Sequence, residues 1–150
     1  MKKHKPGCAC CEQGLEAVEK QEAKNMKTLG WYAHIVTDDP DYPYHFNYHT
    51  HGLIESFNHL DLQICCPIPP QVAHDIAISV IKLIKEGKSF EAGDTAFEVI
   101  ENYPVTFAKA RECDRDVLRI ILPDHTGCLA KNEIDSAWAG QWESTNASEI

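Results

Sequence analysis

The clearest periodicity in this chain lies between Pro69 and Gly87. Val72, Ala73, Ile76, Ala77, Val80, Leu83 and Ile84 recur at steps of three and four, while Asp75, Ser79, Lys82 and Glu86 fall on the other side and His74 at the margin. That spacing predicts one long amphipathic helix over about 69–86, entered through Pro69 and Pro70 and stopped by Gly87. Glu12 to Thr28 is rich in Glu, Lys, Gln and Ala, with a thin apolar stripe of Leu15, Val18, Met26 and Leu29. It predicts a surface helix that leads into the domain.

Elsewhere the period shortens to two. Trp31 to Val36 reads as a strand, closed by the turn Asp38-Asp39-Pro40-Asp41-Tyr42-Pro43, and Tyr44 to His51 as its antiparallel return. Along that return His45, Asn47, His49 and His51 point one way and Phe46, Tyr48 and Thr50 the other, giving an imidazole-rich face and an aromatic one. Gly52 breaks the strand. Leu53 to His59 predicts a short helical turn or loop, and Leu60 to Cys66 an apolar central strand ending at Pro67. Phe97 to Ile100, Pro104 to Lys109 and Val117 to Leu122 read as further strands, Pro123 to Gly127 as a turn, and the residues past Trp142 as a loose Ser/Thr/Asn-rich tail. Hairpins on both sides of one long helix predict an α+β fold, a mainly antiparallel sheet with the long helix packed on one face. The expected organisation is a Cys-containing tail and surface helix over 1–28, a single α+β domain over 29–142 and a loose C-terminal tail over 143–150.

Composition narrows the function. A chain of 150 residues with 43% hydrophobic and 25% charged residues suits one soluble domain. A net charge of −9 argues against nucleic acid or an anionic membrane as partner, because phosphate binding draws on clustered Lys and Arg. Lys2 to Lys5 is too short a basic run to reverse that. No apolar run approaches the ~20 residues that span a bilayer, and no apolar stretch follows the basic start, so a cytoplasmic location is expected. Seven cysteines without a secretion signal favour free thiols or metal ligands over disulfides. Cys8, Cys10 and Cys11 can hold a soft metal or form a tail of free thiols; no second knuckle follows them.

The candidate chemistry centres on Tyr44 to Leu62, which holds four of the eight histidines. His49-Thr50-His51 is a His-x-His pair. Residues two apart on a strand have Cα atoms ~6.6–6.8 Å apart and parallel side chains. Both imidazoles can therefore reach one zinc at ~2.0–2.1 Å. His45 sits ~13 Å back along a straight strand. A third ligand has to come from His59, Glu55, Asp61 or His34; the set read from the chain is His49, His51 and His59. The opposing reading has the histidines stacking and hydrogen-bonding across the sheet without metal. Ser56 lies near His59 but lacks a Gly-x-Ser-x-Gly elbow, and Cys65 and Cys66 end an apolar strand as small buried hydrophobes would. Cys113 and Cys128 have no base beside them, and there is no Gly-rich phosphate loop.

Gly30-Trp31 and the block His49-Thr50-His51-Gly52-Leu53-Ile54-Glu55-Ser56-Phe57-Asn58-His59-Leu60-Asp61-Leu62 resemble the bacterial domain of unknown function family 4262. Further similar stretches are 87–93 (GKSFEAG), Tyr103-Pro104-Val105 and Leu122-Pro123-Asp124-His125-Thr126-Gly127, so the resemblance runs from about Leu29 to about Trp142. It implies no settled biochemical activity. It implies a shared role for Gly52, Glu55 and His59, which fall on the family pattern. At His49 the family commonly has an aromatic residue, at His51 an aliphatic one and at Leu60 a proline.

These readings favour a small cytoplasmic binding or interaction module whose functional surface is the segment 45–59, with His45, His49, His51, Gly52, Glu55 and His59 as binding residues. The alternative is a zinc-dependent hydrolase in which His49 and His51 are ligands and Glu55 or Asp61 is the base. No cofactor is required by the first reading; zinc is the one the second admits. A protein or a small molecule is the expected partner, the chain being a monomer or homodimer. Tyr42, Tyr44 and Trp142 read as exposed aromatics that could serve an interface, but scattered surface aromatics are also ordinary.

Overall fold

The computed structural model describes the backbone over 15–145 and side chains over 20–145. The expectations for Cys8, Cys10 and Cys11 and for the last residues of the tail lie outside the described residues. The elements, in chain order, are α1 (Leu15–Leu29), β1 (Tyr32–Thr37), a 3-10 turn (Pro43–His45), β2 (Phe46–His51), α2 (Leu53–Phe57), β3 (Leu62–Ile64), α3 (Pro70–Lys85), β4 (Thr95–Ile100), β5 (Tyr103–Glu112), β6 (Arg115–Ile121), α4 (Ser136–Ala139) and a second 3-10 turn (Gly140–Trp142). The strands form one sheet in the order β1-β2-β3-β6-β5-β4, antiparallel throughout except for the parallel pair β3/β6. Helix α3 is the long connection that carries the chain from β3 toward the far edge of the sheet. The α+β expectation holds, with the sixteen-residue helix α3 packed alongside a mostly antiparallel sheet.

Strand register decides which residues share a face. His34 pairs with His49, His49 with Gln63, and Gln63 with Arg119, so these four side chains stand on one side. Tyr48 pairs with Ile64, and Leu62 with Leu118, on the other, where α3 packs. The main core fills that second side: Tyr48, Leu62, Ile64, Phe107, Leu118 and Ile120 meet Ala73, Ile76, Ala77, Val80, Ile81 and Ile84 of the helix.

The helix face is turned slightly from the predicted one. Ile81 is buried, Leu83 is half-buried, and Val72 is 43% exposed. The small residues Ala73 and Ala77 are fully buried and mark the line of closest approach, which puts Val72 on the flank. The helix ends where expected: Gly87 has φ +103, its N–H donates to Ile84 O and that of Lys88 to Leu83 O. These paired bonds satisfy the terminal carbonyls. His74 is more than a margin residue, because its Nδ1 lies 2.7 Å from the Tyr48 hydroxyl.

Two other expectations need correction. Strand β2 starts at Phe46, because Tyr44 (φ 58) and His45 (φ 55) adopt left-handed backbone in the preceding turn. His45 is therefore exposed and does not share the face of His49 and His51. Tyr42 and Trp142 are buried rather than presented to a partner. Trp142 packs with Ala108, Ile121 and Ile134 on the sheet side away from α3 and donates from its indole nitrogen to Leu129 O. Only Tyr44 of the three is exposed, and its hydroxyl donates to Ala137 O while accepting from Gly140 N–H.

The observed helix face gives a direct test. Ile76→Ala and Ile81→Ala should each lower unfolding free energy by about 2–4 kcal/mol. Val72→Ala should cost less than about 1 kcal/mol. Urea midpoints that moved equally for all three would place the face wrongly.

Candidate metal centre

The β1/β2 hairpin brings three imidazoles together. His34 stands directly opposite His49 in the register, and His51 follows two residues on, opposite Tyr32. Cross-strand partners on one face lie ≈ 4.5–5.5 Å apart at Cβ. The rings form a triangle: centroids are 5.4 Å apart for His34–His49, 4.9 Å for His34–His51 and 5.0 Å for His49–His51, each pair edge-to-face. One nitrogen of each ring lies within 4.8 Å of one from each of the others. His34 and His49 are only 7% and 4% exposed, and His51 is half-buried. The anticipated histidine-rich surface is thus largely an interior cluster.

Charged groups flank the triangle. Glu22 of α1 bonds His34 Nε2, and Glu112 Oε1 of β5 lies 3.8 Å from His49 Nε2. Arg115 Nε donates to Glu112 Oε1 at 2.8 Å, its Nη1 to Asp61 Oδ2 at 2.9 Å and its Nη2 to Thr50 O at 2.6 Å. Asp61 Oδ1 accepts from Thr50 Oγ1 and from Leu53 N–H. Burial raises the Asp61 pKa against the pull of these donors. For Glu112 burial acts upward, but His49, Cys113 and Arg115 outweigh it and hold the carboxyl below its ordinary value. Burial pushes the His49 imidazole down to about 3, with His34 and Arg115 adding to the fall and Glu112 and the Asn47 backbone opposing it. His49 is therefore unprotonated at neutral pH. Its Nδ1 is buried with no hydrogen-bond partner among the described residues.

Gly52 places α1 against this hairpin. At φ +103, a Cβ there would stand 2.5 Å from Met26 Sδ and 2.7 Å from Gly30 O, so only glycine lets the end of α1 pass so close. Tyr32 stacks on His51 at 5.0 Å and 18°.

The structure separates the other sequence candidates from this cluster. The third imidazole beside His49 and His51 is His34, not His59. His34 lies across the ladder from His49, whereas His59 follows α2: its Nδ1 bonds Leu60 O at 2.8 Å, and its Nε2 accepts from Phe90 N–H at 3.0 Å. Glu55 is exposed on α2. Glu22, Glu112, Arg115 and Tyr32 were not anticipated. Glu22 sits in a helix full of charged residues, and nothing in its spacing marks it. Glu112 and Arg115 flank a two-residue turn and face each other across the β5/β6 hairpin; that proximity can be read from the chain only once the hairpin is assigned.

The family model described as a domain of unknown function (DUF4262) matches residues 25–120. The chain belongs to the DUF4262 family. No curated protein and no solved structure matches it. The family match takes in His34, His49, His51, Glu112 and Arg115; Glu22 lies before it and the 122–127 turn after it.

Two expectations follow. In metal-free protein the folded state leaves His49 unprotonated down to about pH 3. The unfolded chain takes up that proton near its ordinary value of about 6.5, so unfolding binds more protons in between and stability falls as pH is lowered through that window. His49→Gln should flatten the decline by up to about 1.4 kcal/mol per pH unit, and parallel stability–pH curves for the two proteins would show that His49 is not the group responsible. Second, with chelator present, His59→Ala should cost about 1 kcal/mol more than His51→Ala, since it abandons two hydrogen bonds; thermal melts of the two variants check this.

Proposed function

We propose that this DUF4262 chain is a metal-binding module in which His34, His49 and His51 hold one zinc ion. The observation that carries the reading is the triangle of mostly buried imidazoles with ligand-type nitrogens mutually within 4.8 Å. Tetrahedral zinc with bonds of 2.0–2.1 Å needs nitrogens about 3.3–3.5 Å apart. Modest side-chain rotation on a fixed hairpin supplies that. The electrostatics agree. An unprotonated His49 is already in the ligand form, and the Nδ1 left without a partner is a donor atom. Glu112 and Glu22 stand behind His49 and His34 at Nε2, as carboxylates behind metal-bound imidazoles do, and their charge offsets that of a divalent ion.

Binding is favoured over hydrolysis. Asp61 commits both carboxylate oxygens to Thr50, Leu53 and Arg115, and Glu55 points to solvent on α2. Neither is placed to serve as the base that the hydrolase reading requires. The site joins Glu22 of α1 to both strands of the first hairpin, so a bound ion would tie the N-terminal helix to the sheet.

The test uses full-length protein carrying no histidine tag. Equilibrium dialysis against zinc should load close to one ion per chain, and chelator should lower the melting temperature of the loaded protein. His34→Gln and His51→Gln should abolish loading; Glu112→Gln should weaken it roughly tenfold, the usual scale for losing a carboxylate behind a ligand. A chain that takes up no zinc and melts identically with and without chelator would overturn the proposal.

A further inference from the structure

A second site lies on the α3 side of the sheet, apart from the histidine triangle. A cavity of about 500 Å³ opens between α3, the β4/β5 turn and the turn that follows β6. That is within the range of small-molecule pockets, roughly 300–1,000 Å³. Its apolar surface comes from Ile76 of α3, Val99 and Ile100 of β4 and Leu122 beyond β6, and two rings, Tyr103 and Trp138, also line it. Val72 and Tyr103 at its rim are 43% and 40% exposed.

One wall is held rigidly. The Asp124 carboxylate accepts from Thr126 N–H, Thr126 Oγ1, Cys128 N–H and Asp135 N–H, so all its capacity goes to shaping the turn. Gly127, at φ +83, closes that turn, and a Cβ on it would stand 3.5 Å from Tyr103 Cδ1, so the Tyr103 ring rests on the turn. The pocket is therefore largely formed before any ligand arrives.

Its charge selects the ligand. Among the described residues no Lys or Arg lines it and His125 is its one basic side chain, against the carboxylates of Asp75 and Asp124, so the balance of charge disfavours a carboxylate or phosphate. Asp75, exposed on α3, also lines it; its Oδ1 accepts from Gln71 Nε2, which leaves Oδ2 for a ligand. A carboxylate that shares a pocket with two aromatic rings and an apolar floor is an environment that favours a small organic cation. We propose that this pocket binds an aromatic amine, with the ammonium at Asp75 and the ring over Ile76, Ile100 and Leu122.

The probe is phenethylamine, with hydrocinnamate as its anionic counterpart, titrated into isotopically labelled full-length protein in mildly alkaline buffer, where imidazoles are unprotonated and the amine is charged. The amine should shift the amides of Ile100 and Gly127 and the indole N–H of Trp138, with hydrocinnamate at least tenfold weaker. Asp75→Asn, a surface substitution that leaves the helix intact, should weaken the amine at least tenfold while leaving the amide spectrum otherwise unchanged. The proposal is overturned if the amine leaves these resonances unmoved, if hydrocinnamate binds as tightly, or if Asp75→Asn binds the amine like the wild type.

Discussion

The arrangement depends most on one buried carboxylate. Asp61 accepts from Thr50 on β2, from the Leu53 backbone at the start of α2 and from Arg115 on β6, while Thr50 Oγ1 accepts in turn from Leu62 N–H on β3. Three strands and a helix start are tied at that point. Burying a carboxylate is unfavourable unless its lone pairs are satisfied, and here donors from separate elements satisfy them. The knot also fixes register. A slip of one residue along β2 would carry His49 and His51 to the α3 side and Tyr48 to the opposite one. Arg115 extends the knot to Glu112, and through Glu112 to His49, so the sheet's register and the histidine triangle rest on the same bonds.

The two sides of the sheet are built on different physics. The α3 side is held by apolar contact, with Tyr48, Phe107, Ile64 and Ile120 against Ala77, Val80 and Ile81. The other side carries a buried polar row. Asn47 accepts from Gln63, Gln63 accepts from Arg119, and Arg119 donates onward to the carbonyls of Gln141 and Glu143. Arg119 is 1% exposed, and burial lowers its pKa. Its donors hold the C-terminal segment against the sheet, and Gln141 completes the attachment by exchanging hydrogen bonds with Leu122. Residues after Trp142 are thus partly docked, through Glu143 O on Arg119 and the bridge of Thr145 to Ala110.

What could be read from the sequence was what depends on local period. The three-and-four recurrence located α3 within a residue or two, and alternation over 46–51 put His49 and His51 on one face opposite Tyr48. What could not be read depends on backbone sign or on pairing. Tyr44 and His45 take left-handed backbone with no glycine to announce it, so His45 was assigned to a strand it precedes. His34 could be named as a neighbour, but choosing it over His59 required the β1/β2 register, which is set by an irregular eight-residue connection over 38–45. Trp142 and Tyr42 read as exposed because the segments that carry them have no periodicity; their burial comes from packing against distant strands.

The histidine triangle runs against the logic that stabilises everything around it. Asn47, Gln63, Arg119 and Asp61 each find partners, as buried polar groups in folded proteins do. His49 Nδ1 does not. Leaving a buried polar atom without a partner costs about 1–3 kcal/mol, and beyond burial itself His34 and Arg115 disfavour protonation of His49, against the pull of Glu112 and the Asn47 backbone. A sequence that satisfies Asn47, Gln63, Arg119 and Asp61 yet holds three imidazoles edge to face, with a carboxylate behind two of them, keeps a local conflict at that point. Such conflicts concentrate where a site has a task besides stability, and a cation at the centre of the triangle is the partner that would resolve this one.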